Sequence, residues 1–192
     1  MPPFIRSVFA LLWLIWAAYW WSKSRGVKET VRKESIFSRL SYLILVALAF
    51  SLLWVPHVPL PLFEGRFLPV GGWPVWAGIG VTLTFIGLAF SIWAREHLGR
   101  NWSAVVTVKR DHELITTGPY AWVRHPIYSG LVLAALGQAI ARGQWIGLLG
   151  VAILLGAFWR KARVEERWIR EQFGSAYENY SRQVRAIIPF VL

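Results

Sequence analysis

A chain of 192 residues in which 56% of the side chains are hydrophobic is too apolar for an ordinary water-soluble domain of one-domain length. Its net charge of +11 would by itself admit a nucleic-acid partner, but long apolar runs and 13 Trp assign the basic residues to loops on one side of a bilayer, and no nucleic acid is expected. With no Cys, disulfides, thiolate catalysis and Cys-ligated metals are excluded.

The first apolar run covers residues 4–21 and ends in Trp20 and Trp21. It is longer than the apolar stretch of a signal peptide, so it predicts a retained transmembrane helix. A second run, 40–55, stops at Pro56, and a loop rich in Pro and Gly leads to the third and longest run, 73–94. The fourth and fifth, 127–141 and 145–159, flank a tight Arg-Gly-Gln connection and predict a helical hairpin. Each hairpin arm is roughly 22 Å long at 1.5 Å per residue, shorter than a hydrocarbon core of roughly 30 Å. The tail predicts a charged helix over 158–172 stopped by Gly174, then a short helix over 176–184 before Pro189.

Charge orients these elements. Residues 22–39 hold six basic and two acidic side chains, 95–126 hold five and three, and the tail from Arg160 holds seven and four. The opposite side has only Arg6, Glu64, Arg66 and Arg142. The positive-inside rule then puts the N-terminus outside and the C-terminus in the cytoplasm, in a prokaryotic cell membrane. The expected fold is an all-α integral membrane protein with about five transmembrane helices, the last two a short hairpin, and cytosolic C-terminal helices. It forms one domain over 1–192, with a three-helix region to residue 94 and the functional region from 95.

Every group able to do chemistry lies on the basic side, in blocks 95–128 and 160–180 that bracket the hairpin. Such a site can open to water for a polar cofactor and to lipid for an apolar substrate. His57, His97, His112 and His125 form no HxxxH or HxH pair, so no metal is expected. There is no GxSxG elbow and no Gly-rich phosphate loop, and five unequal segments are not the inverted repeats of a transporter. Glu165 and Glu166 are a carboxylate pair at the membrane boundary amid many cations, which makes one of them a candidate ligand for a cationic group.

Three motifs, LGRNWS (98–103), HELITTGPYAWVRHPIYSG (112–130) and ARVEERWIREQFGSAYENY (162–180), occur in this order. Together they resemble the isoprenylcysteine carboxyl methyltransferase family and its relatives among the phospholipid methyltransferases. The resemblance implies S-adenosylmethionine as cofactor, with S-adenosylhomocysteine as product. It also implies a pocket lined by His112, Glu113, Leu114, Ile115, Tyr120, His125, Pro126, Ile127 and Tyr128, with Glu165 or Glu166 as the cofactor-binding acid. It further implies a cation for the substrate carboxylate, a place for which Arg160, Lys161 and Arg163 compete; Arg163, Glu165 and Arg160 are the catalytic candidates. The implied acceptor is lipophilic or prenylated, met among membrane lipids, most simply as the carboxylate of a prenylcysteine-like molecule. A phospholipid amine, a thiol, or an NADPH-dependent sterol or enone reductase built on a similar RHPxYxG region are the alternatives.

Overall fold

The computed structural model describes residues 1–23, 30–33, 35–55, 65–99, 107–109 and 114–189. Its helices are α1 (Pro3–Ser22), α2 (Ile36–Trp54), α3 (Trp73–Leu98), α4 (Pro126–Arg142), α5 (Trp145–Phe173) and α6 (Ser175–Gln183). A short antiparallel ribbon joins β1 (Thr30–Lys33) to β2 (Thr107–Lys109), so the two connections expected on the basic side do meet.

Among the described residues, four segments are long and apolar enough to cross a membrane: α1, α2, Val70–Leu98 and α5. The remaining expected span, α4, has 17 residues, about 26 Å at 1.5 Å per residue, and is the short arm of the hairpin. Its partner is longer than the sequence suggests. The apolar arm expected at 145–159 and the charged helix expected at 158–172 form one continuous helix of 29 residues. Between Gly156 and Gly174 the chain contains no Gly or Pro and is rich in Ala, Arg, Lys and Glu, all good helix formers. α5 therefore passes from lipid to water without a break.

The centre of the bundle is the antiparallel pair of α3 and α4. Gly80 faces Gly137 and Gly87 faces Gly130; a Cβ added at Gly80 or Gly87 would stand 2.4 Å from the facing carbonyl oxygen. Both pairs recur at seven-residue spacing, two helical turns, so a seam of small residues lets the backbones touch. Thr84 crosses the seam, its hydroxyl donating to the Ala134 carbonyl at 2.9 Å.

Around this pair the other helices are tied by polar groups that have no water to bond with. The Trp13 indole donates to Gln138 Oε1 at 2.9 Å, and the Trp16 indole to Ser91 Oγ at 2.8 Å. Arg142 donates to the Leu52 carbonyl at 2.7 Å, closing the non-basic end onto α2. Leu11, Leu14, Ile15, Ile44, Phe85 and Ile86 remain exposed, as side chains facing lipid would.

The seam makes a direct prediction. Gly87→Val should destabilise the detergent-solubilised protein by about 1–3 kcal/mol through overpacking. Gly78→Ala, where nothing lies within 4 Å, should leave thermal unfolding unchanged.

Candidate functional site

The polar residues of the two blocks converge where α4 begins and α5 turns from apolar to charged. Gly118 opens a short 3-10 turn, Gly118–Ala121, with φ +59°, and a Cβ there would strike the His97 ring at 2.7 Å. His97 Nε2 lies 2.9 Å from Thr117 Oγ1, which ties this turn to the end of α3. Tyr120 is buried in the turn; its hydroxyl donates to the Ala94 carbonyl, and its own carbonyl accepts from Tyr180 at 2.6 Å.

Pro126 occupies the first turn of α4, where a missing N–H costs nothing. His125 before it lies outside the helical region, and its backbone N–H donates to the Ala186 carbonyl at 2.8 Å; that of Arg124 donates to Arg185 at 2.7 Å. The segment after α6 thus lies alongside residues 123–125 through a single parallel bridge, with Ala186 and Ile187 buried. The short apolar run Ala186-Ile187-Ile188 after a charged helix was its signal in the sequence.

Side chains then close on the two carboxylates. Glu166 accepts from Arg124 Nε at 2.8 Å and pairs with the other end of the same guanidinium at 2.7 Å, and His125 Nε2 lies 3.1 Å away. Arg124 also donates to the carbonyls of Ser181 and Val184. It is a buried clamp, not a chain snorkelling to head groups. Glu165 accepts from the Tyr128 hydroxyl at 2.7 Å and stands 3.4 Å from His125 Nδ1. The rings of His125, Tyr128 and Phe158 stack nearly parallel, with centroids 5.5 and 4.8 Å apart.

The cations separate by helix face. Lys161 lies over the Tyr42 ring at 4.9 Å and the Tyr128 ring at 5.5 Å, on the same side of α5 as Phe158 and Glu165. Arg160 donates to the Ser38 carbonyl at 3.2 Å, and Arg163 is exposed over Trp159. At 100° per residue these two point away from Phe158, Lys161 and Glu165. The structure brings together His125, Tyr128, Glu165, Glu166 and Lys161. Arg160 and Arg163 lie on the other side of α5, where they share a groove with Glu166.

Of the other expected residues, Leu114 and Ile115 are half-buried in the segment leading to the 3-10 turn, and Pro126 and Ile127 begin α4. His112 and Glu113 lie outside the described residues. Trp122 is 63% exposed and packs on Trp93 and Phe90 as an interfacial anchor, whereas Tyr120 and Tyr128 point inward.

Burial works against a charged His125 ring, but hydrogen bonds to Glu165 and Glu166 outweigh it and hold its pKa above the usual histidine range. The cluster thus sets an imidazole ring and a guanidinium against two carboxylates, with aromatic faces beside them. Such a surface suits a cationic group that also carries an ammonium.

The phospholipid methyltransferase family model matches residues 75–176. The protein-S-isoprenylcysteine O-methyltransferase of Schizosaccharomyces pombe is 36% identical over 101 residues, covering 51% of this chain and 43% of that protein. Its Saccharomyces cerevisiae counterpart is 31% identical over 119 residues, covering 59% and 48%. The chain thus spans about half the length of these curated relatives. Among solved structures, the eukaryotic intramembrane Ras methyltransferase (isoprenylcysteine carboxyl methyltransferase) superposes with a TM-score of 0.54 at 24% identity, over 84% of this chain and 55% of that one. At that identity the likeness is one of fold.

Two outcomes are expected of the cluster. Arg124→Met, which strands Glu166, should cost about 3–5 kcal/mol in thermal or denaturant unfolding. Because the folded His125 pKa is raised, its contribution is complete below the ordinary histidine range and is lost as pH rises through the higher folded value. Melting temperature should therefore fall as pH rises above the ordinary histidine range, and fall less in His125→Gln.

Proposed function

The chain belongs to the phospholipid methyltransferase family, and from that premise we propose that it moves a methyl group from S-adenosylmethionine to the carboxylate of a lipophilic, prenylcysteine-like acceptor at the membrane–cytosol boundary. On this reading the whole chain is one membrane-embedded domain, with the basic side and C-terminus in the cytoplasm. The observation that carries it is the His125–Tyr128–Phe158 stack lying against Glu165 and Lys161, where α5 leaves the apolar layer.

The donor set fits such a cofactor. Glu165 is the more accessible carboxylate, with 21% of its side chain exposed against 6% for Glu166. Glu165 would receive the cofactor's ammonium, while Glu166 braces the site from behind through Arg124 and His125. Tyr128 and Phe158 offer ring faces to a sulfonium, and Leu114 and Ile115, by their place in the motif, would line the apolar part of the pocket. His112 and Glu113 belong to the same proposed pocket by position in the motif.

When bound, the sulfonium supplies a methyl carbon that is already activated for displacement. The chain's task is then orientation and exclusion of water. A carboxylate acceptor is ionised at neutral pH and needs no general base. Lys161, packed between Tyr42 and Tyr128, is the cation placed to hold that carboxylate; its position on α5 favours it over Arg160 and Arg163 for this role. Tyr128 donates a hydrogen bond from its hydroxyl to Glu165 and so holds the carboxylate's orientation.

Calorimetric titration of the detergent-purified protein with S-adenosylhomocysteine tests the cofactor. Binding in the micromolar range is expected, weakened about tenfold by Glu165→Gln through loss of a charge-assisted contact; binding of NADPH instead would overturn the assignment. For the acceptor, labelled methyl transfer to an S-farnesyl cysteine should exceed transfer to phosphatidylethanolamine or a lipophilic thiol. Lys161→Met should raise KM for the carboxylate about tenfold, with the Kd for S-adenosylhomocysteine within about twofold. Preferred transfer to the amine would move the acceptor to a phospholipid head group.

A further inference from the structure

The stripe of α5 opposite the cluster carries Arg160, Arg163, Arg167 and Arg170, at spacings of three, four and three residues. They share one helix face and run roughly 15 Å from the level of Trp159 toward the basic side. Together with Ser38 at the start of α2, they line a groove between α2 and α5. The carboxylate in its lining, Glu166, is already engaged by Arg124 and His125. The groove is therefore strongly positive.

Next to Ser38, the first turn of α2 leaves Ile36 and Phe37 77% and 83% exposed. At the groove's floor Trp159 marks the last apolar turn of α5. Arginines above an aromatic floor, at the level where α5 leaves its apolar stretch, complement a molecule with a phosphate and acyl chains. A water-soluble acidic peptide would use the arginines but not the apolar surface at that level.

We propose that this groove is a binding site for an anionic phospholipid, separate from the methyl-transfer site. The head-group phosphate is held by Arg163 and Arg167, with Arg160 below and Arg170 above, and the acyl chains run down past Trp159 into the apolar layer. Guanidinium groups suit this because their paired N–H donors match two phosphate oxygens. Basic pockets at helix junctions on the cytoplasmic side are a recurrent form of lipid recognition. The site shares one wall with the methyl-transfer cluster, since Glu166 lies at the groove's edge. The inference stands on the groove's own residues and does not depend on the proposed methyl acceptor.

Native mass spectrometry of the full chain in detergent, given equimolar phosphatidylglycerol and phosphatidylcholine, tests it. The wild type should retain phosphatidylglycerol at least about fivefold more than phosphatidylcholine, about 1 kcal/mol of selectivity. Arg163→Gln with Arg167→Gln should bring the ratio close to one. Arg182→Gln with Arg185→Gln, which removes equal charge from exposed positions elsewhere on the tail, should leave it unchanged. Equal retention of both lipids by the wild type, or equal loss in the two double variants, overturns the site. Displacement of the lipid by an equal concentration of glycerol 3-phosphate shows an anion site without lipid recognition, and tighter binding of an acidic peptide assigns the groove to a protein partner; either overturns the lipid assignment. Circular dichroism of both double variants confirms that the ratios are read on folded protein.

Discussion

A single buried carboxylate, Glu166, joins three pieces of chain. Arg124 reaches it from the loop before α4, His125 from the cap of that helix, and the carbonyls of Ser181 in α6 and Val184 after it complete the guanidinium's donors. A buried pair of this kind adds little net stability, because desolvation offsets most of the attraction. What it supplies is position. Without it, the cap of α4, the middle of α5 and the C-terminal segment have no shared reference point, and Tyr128 and Glu165 lose theirs.

The hub works because α3 and α4 are locked first. Glycine facing glycine at two levels sets how deep α4 sits, and the cap of α4 begins where the seam ends. The polar ties of Trp13, Trp16, Thr84 and Gln138 reinforce this from inside the apolar layer, where the alternative to each bond is an unsatisfied group. The Trp population is accordingly divided: Trp13 and Trp16 serve as internal donors, while Trp122 and Trp21 remain exposed for the interface.

α5 is the element on which both functional surfaces depend. Because it continues as one helix from lipid into water, residues a few positions apart project to opposite sides at nearly the same height. Phe158, Lys161 and Glu165 lie on the side of Tyr128, while Arg160, Arg163, Arg167 and Arg170 line the groove on the other side. One helix thereby holds an aromatic and carboxylate cluster on one side and a cationic groove on the other, with Glu166 between them.

Much of this was legible in the sequence. Long apolar runs require helices, since only hydrogen bonds within a segment satisfy its backbone in lipid; the uneven distribution of Lys and Arg grouped the loops that do meet at the β1–β2 ribbon. The spacing of RHPxYxG and the paired glutamates marked the residues that converge. The sequence could not divide their labour. Glu165 and Glu166 are adjacent in the chain, and which one is clamped depends on where Arg124 enters, a matter of tertiary approach. Choosing among Arg160, Lys161 and Arg163 required knowing that the helix does not break near residue 159, because only an unbroken 100° step sends Lys161 to one side and its neighbours to the other. The docking of residues 184–187 likewise followed from open backbone groups at 123–125, which are placed only after folding. Composition and periodicity determine what enters the membrane and which groups gather at its boundary; helix phase and the closing of backbone hydrogen bonds decide which of those groups touch.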